Sequence, residues 1–95
     1  MIVDKLVWTG YGTVNYNSSI NLTIPSYVNY IVIKGPAVTI DDIKIVKGCT
    51  TDILYKSSNY TAMSTVSYNS NNTLKISSGN NRAEANLWFE GYQYL

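Results

Sequence analysis

The sequence predicts an all-β protein: a single antiparallel β-sandwich, jelly-roll-like, with about eight strands in one domain over residues 1–95. Three observations carry that prediction. Short runs alternate apolar and polar residues with a period of two, the mark of half-buried strands. Clusters of Asn, Ser, Gly and Pro separate those runs at regular intervals. No stretch shows the 3.6-residue apolar period of a helix.

The first strand reads from Ile2 to Thr9, with Leu6 and Trp8 on one face and Val7 on the other. Gly10-Tyr11-Gly12 follows as a place for a bulge or change of direction. Trp8 is expected as a core anchor rather than a ligand platform, because a small sandwich needs a large residue at its centre. Asn15 to Ser19 is a polar turn. Ser19 to Ile24 is the cleanest alternation, with Ile20, Leu22 and Ile24 inward and Asn21 and Thr23 outward. Pro25-Ser26 ends it.

In the third strand, Tyr30 to Lys34, Ile31 and Ile33 oppose Tyr30, Val32 and Lys34. Gly35-Pro36 stops it. A fourth run passes from Val38 to Ile40 through Asp41-Asp42, then on through Ile43 and Ile45 to Lys47-Gly48. The two adjacent acids read as a solvated turn, since a calcium site gathers about six to eight oxygens and no such spacing is present. Cys49 to Lys56 is a fifth strand whose register runs through Ile53 and Tyr55 or through Leu54. Tyr60 to Tyr68 is a sixth with no clearly apolar side, which predicts an edge strand or one facing a neighbouring subunit. Asn69 to Asn72 is a hairpin loop, Thr73 to Ser77 pairs back with Leu74 and Ile76 inward, and Ser78 to Asn81 turns again.

The stretch Ala83 to Leu95 is the closing strand. Ala85, Leu87 and Phe89 face the core, while Glu84, Asn86, Trp88 and Glu90 face water or a partner. Gly91 marks a bulge or bend before Tyr92 and Tyr94. A slip of one residue at that bulge turns Trp88 inward instead.

Composition narrows the function classes. Charged residues make up 14% and the net charge is +1, so nothing argues for nucleic acid, which calls for clustered Lys and Arg. No segment reaches the ~18 apolar residues of a membrane span, and no membrane partner is expected. The opening MIVDKLVW, with Asp4, does not read as a secretory leader, so synthesis in a host cytoplasm is expected. Four Asn-x-Ser/Thr triplets, at Asn17, Asn21, Asn59 and Asn71, follow from the abundance of those residues. His is absent, which removes the usual base for a nucleophile and most zinc arrangements. The single cysteine, Cys49, reads as a small buried or half-buried residue. No cofactor or metal is expected, and no catalytic motif is present. The carboxylates Asp41, Asp42, Asp52, Glu84 and Glu90 leave only a glycosidase-like pair to consider, and solvation explains them better.

Nine tyrosines stand against one phenylalanine. Strand propensity accounts for part of that bias. The other account is a contact surface, in which Tyr brings area at low entropic cost and Asn and Ser bring adaptable hydrogen bonds.

Three segments resemble the small β-sandwich modules of tailed-bacteriophage virions, found on tail fibres, tail tips and capsid-surface fibres. They are the opening VWTGYG, the run SINLTIPSYVNYIVI, and the ending LWFEGYQYL with its glycine-aromatic finish. The resemblance implies a non-enzymatic virion component, assembled as a homo-oligomer such as a trimer and packed against other virion proteins. The outward Trp88 agrees with that role, since a large aromatic among Glu84, Asn86 and Glu90 serves no purpose in a monomer. The alternative is a tail-fibre-type module that recognises a host cell-surface glycan. In both, Trp88, Tyr92, Tyr30 and Tyr11 are the candidate binding residues.

Overall fold

Eight strands form among the residues described by the computed structural model, namely 4–14, 18–34, 42–56, 61–78 and 85–94, with the side chains of 54–56, 61, 62, 78, 85 and 86 outside the description. They are β1 (Lys5–Val14), β2 (Ser19–Thr23), β3 (Tyr30–Lys34), β4 (Ile43–Val46), β5 (Thr50–Lys56), β6 (Thr61–Tyr68), β7 (Thr73–Ser78) and β8 (Ala85–Gln93). Two four-stranded antiparallel sheets result, one in the order β1-β8-β3-β4 and the other in the order β2-β7-β6-β5. We call them the first and second sheets. The protein is all-β and has the architecture of a small sandwich. The pairing of β8 with β1 and β3 and of β2 with β7 is its jelly-roll-like part; β3–β4, β5–β6 and β6–β7 pair as sequence neighbours.

The interior follows from alternation. Ile31, Ile33, Ile45, Leu87 and Phe89 of the first sheet meet Ile53, Val66, Tyr68, Leu74 and Ile76 of the second, with Val14, Ile24 and Val28 closing the ends. Tyr68 is the largest fully buried side chain among the described residues, and its O–H donates to the Val28 carbonyl at 3.2 Å across the core. Burial pushes its phenol pKa up. Trp8 packs against the margin of this cluster instead of filling its centre.

The glycines of β1 explain where Trp8 goes. A Cβ on Gly10 would overlap the outer edge of the Trp8 indole, and one on Gly12 would overlap Ile20 Cδ1. A Cβ on Gly91, opposite Trp8, would lie 3.1 Å from Val28 Cγ1 and 3.2 Å from Trp8 Cβ. The ring thus lies in a trough that only absent side chains leave open.

Several expectations need correction. β1 does not bend at Gly10-Tyr11-Gly12 but runs on, regularly paired, to Val14. The irregularity falls between Leu6 and Trp8, where Val7 is the extra residue opposite the Tyr92–Gly91 step. One added residue inverts the alternation, so Leu6 faces out and Trp8 faces in, not together. β6 is an inner strand flanked by β5 and β7, with Ser64, Val66 and Tyr68 buried; the edges are β1, β4, β2 and β5. Cys49 is exposed, because its backbone ties the β4–β5 turn to Tyr68 while its side chain points away. Gly48, with φ of 92°, gives that turn its positive angle, as the third residue of a Val46–Cys49 turn requires. In β5 the register is the one that buries Ile53. The Asn69–Asn72 loop closes as expected, with Asn72 left-handed at φ of 66° and the Asn69 N–H donating to the Thr73 carbonyl at 2.8 Å. The turns read at Asn15–Asn17, Gly35-Pro36, Ser57–Asn59 and Gly79–Asn81, the run Val38–Ile40, and Asp41, Tyr60 and Glu84 lie outside the described residues.

Candidate functional site

The outward alternation of the first sheet builds one continuous face, because antiparallel register puts opposite residues on the same side. Its first row runs Tyr11, Trp88, Lys34 across β1, β8 and β3, with Asp42 beside Lys34. Its second runs Thr9, Glu90, Val32, Lys44, and its third Leu6, Tyr92, Tyr30, Val46. All four residues singled out in the sequence therefore share one surface, in two pairs two rows apart.

The first pair is open. Trp88 is 47% exposed and Tyr11 51%; their ring centroids lie 5.2 Å apart with planes tilted by 59°. The Thr13 hydroxyl donates to the Tyr11 phenol oxygen at 3.0 Å, which orients that ring. Phe89 and Leu87, one position to either side of Trp88, are buried, so the register of β8 is the one that presents Trp88 outward.

The second pair is closed. Tyr30 and Tyr92 stack with centroids 5.3 Å apart and planes 12° from parallel, and Tyr94 leans on Tyr30 at 5.5 Å. Lys44 Nζ sits 4.2 Å from the Tyr30 ring centroid, a cation–π contact. Tyr30 is consequently only 8% exposed although it points away from the core. Its O–H donates to Asp4 Oδ2 at 2.6 Å. That hydrogen bond, then desolvation, pushes its phenol pKa up to about 12. Burial, and a donated bond to Glu90 Oε1 at 3.1 Å, raise the Tyr92 phenol as well. Tyr94 is held by its N–H, which donates to Asn29 Oδ1 at 2.8 Å. Tyr30 is thus the floor of the tyrosine cluster, and Tyr92 and Tyr94 are its surface.

Between the pairs lies a charge network. Lys34 Nζ is 3.3 Å from Glu90 Oε1 and 3.5 Å from Asp42 Oδ2. Its hydrogen bond to Glu90 is the main reason its pKa is raised. The alternation already put Lys34 and Glu90 on the outward side; that β3 and β8 are neighbours was not readable, so their pairing was missed. The Asp4–Tyr30 contact was missed for the same reason, spanning 26 positions in sequence.

Of the five carboxylates weighed as a glycosidase pair, Asp42, Asp52 and Glu90 are among the described residues. Asp42 and Glu90 share Lys34, and Asp52, on the outer side of the second sheet, accepts the Thr65 hydroxyl at 2.8 Å. Among the described residues no group of three or more His, Cys, Asp or Glu is placed to hold a metal ion. A shallow groove of about 420 Å³, lined by Lys5, Leu6, Val7, Tyr27 and Gln93, adjoins the third row at the β1 bulge.

Comparison of the chain with protein-family models, with curated proteins and with solved structures finds no match.

Proposed function

We propose that this chain is a non-catalytic assembly module of a virion surface, and that the outer face of its first sheet packs against other proteins of the particle. One observation carries the reading. Trp88, Tyr11, Tyr92, Tyr94, Leu6 and Val46 lie on a single face on which Lys34 bridges Asp42 and Glu90 and Lys44 sits over the Tyr30 ring. Aromatic area with few unpaired charges is what the buried part of a protein interface looks like. The resemblance to virion modules supports the setting. The test is co-expression with the products of the neighbouring reading frames, followed by sedimentation of assembled particles. Wild-type chain is expected in the particle fraction and Trp88→Glu in the soluble fraction; a wild-type chain that never sediments overturns the reading.

A second reading, recognition of a host-surface glycan, is favoured by the Tyr11–Trp88 pair alone. Two tilted, half-exposed rings beside Lys34, Asp42 and Glu90 offer a platform for a sugar's apolar face and partners for its hydroxyls. Glycan-array signal lost in Trp88→Ala supports it, and absence of signal on any host envelope glycan counts against it.

A further inference from the structure

We infer that the first partner of this face is a second copy of the same chain, docked face to face about a two-fold axis that runs along the strands between β8 and β3. The inference rests on the reading of the face as a protein interface and adds to it the occupant and its orientation. An isologous contact needs a surface complementary to its own image. A two-fold axis along the strands keeps each row in place and reverses the strand order. β8 then lies over the copy's β3, and β1 over the copy's β4.

The rows can be matched one by one. In the first, Trp88 meets the Lys34 of the copy, and the reverse contact is made at the same time. Each is a cation over the best aromatic acceptor. Tyr11 meets Asp42, whose carboxylate can accept from the phenol. In the second row, Thr9 meets Lys44 and Glu90 meets Val32, so no like charges face each other. In the third, Leu6 meets Val46, both exposed and apolar, and Tyr92 meets the copy's Tyr30 position, on which Tyr94 leans.

The competing two-fold, perpendicular to the strands, reverses the rows and keeps strand over strand. It places Glu90 on Glu90 and Lys44 on Lys44, and sets Asp42 against Val46. Both axes permit the aligned packing that sheets favour, so electrostatics decides between them.

Size sets the strength. Strands about 4.8 Å apart and a nine-residue β8 give a face on the order of 500 Å² per copy. Both copies together bury on the order of 1,000 Å², the lower limit for a specific interface, so a weak, reversible dimer is expected.

The experiment uses the full chain with Cys49→Ser, which removes the native exposed thiol. Leu6→Cys and Val46→Cys are made separately, mixed, and mildly oxidised. The mixture is expected to yield a disulfide-linked heterodimer, whereas Leu6→Cys with Tyr11→Cys, the match required by the perpendicular axis, does not. Sedimentation equilibrium of the Cys49→Ser chain is expected to show dimer that weakens at least about tenfold in Lys34→Glu and is retained in Lys34→Arg. A chain that stays monomeric to about 1 mM, or cross-linking of the Leu6–Tyr11 combination, overturns the inference. A monomeric chain that still joins particles leaves the assembly reading intact and removes only the self-partner. A chain that dimerises as described yet never joins particles does the opposite.

Discussion

The two outer faces of the sandwich are made by the same rule and look nothing alike. On the second sheet the outward positions among the described side chains are Ser19, Asn21 and Thr23 on β2, Thr73, Lys75 and Ser77 on β7, Met63, Thr65 and Ser67 on β6, and Thr50 and Asp52 on β5. Apart from Met63 and Lys75 these are short polar side chains, and two pairs bond laterally: Thr50 donates to Ser67 at 3.0 Å and Thr65 to Asp52 at 2.8 Å. On the first sheet the equivalent positions carry Trp88, Tyr11, Tyr92 and an ion-paired cluster. β-propensity is met equally well by Thr and by aromatics, so strand formation does not explain the difference. The ringed face is accordingly the one proposed above to meet a partner.

The comparison can be broken at its foundation. Both faces hang on one shared interior, so Phe89→Ala, which empties the middle of β8, should lower the unfolding free energy by about 3–5 kcal/mol in urea titration. A loss below about 1 kcal/mol would mean that β8 is not the central strand described. Gly10→Val is next: the added side chain displaces Trp8 and should cost about 1–3 kcal/mol by the same titration. A shift of Trp8 emission to the red would accompany it.

The two faces separate most cleanly in function. Trp88→Ala should change stability by less than about 1 kcal/mol yet abolish incorporation into particles, while Asn21→Ala on the opposite face should leave both unchanged. Equal loss from both variants would dissolve the distinction. The smallest effect is on pH dependence. A raised phenol pKa means that the folded state holds its proton more tightly than the unfolded chain. The stabilisation from Tyr30 is therefore complete below pH about 10 and lost as pH rises through about 12. Tyr30→Phe should flatten the alkaline decline over that window in thermal unfolding. Tyr68 and Tyr92, shifted in the same direction, keep a residual slope.

Local pattern carried most of the fold. Ser19–Ile24, Tyr30–Lys34 and the Leu87–Trp88–Phe89 triplet read correctly because each alternates without interruption, and the outward Trp88 came with them. What failed was whatever one residue or one distant partner controls. Val7 inserts into β1 and reverses Leu6 relative to Trp8, and nothing in the letters VW marks a bulge. β6 hid its inward side because the buried position 64 is a serine, which breaks the apolar pattern without breaking the strand. Tyr30 was read correctly as outward, but its cover by Asp4, Lys44, Tyr92 and Tyr94 depends on three strands meeting. Propensity and period describe a strand; they do not say which strand lies next to it.

The antiparallel register that sets Lys5 against Gln93 has a bearing on how such a unit can be carried. A polypeptide entering at β1 and leaving at β8 passes through two points side by side. The whole sandwich can therefore be spliced into a tight loop of a larger host without prying that loop apart.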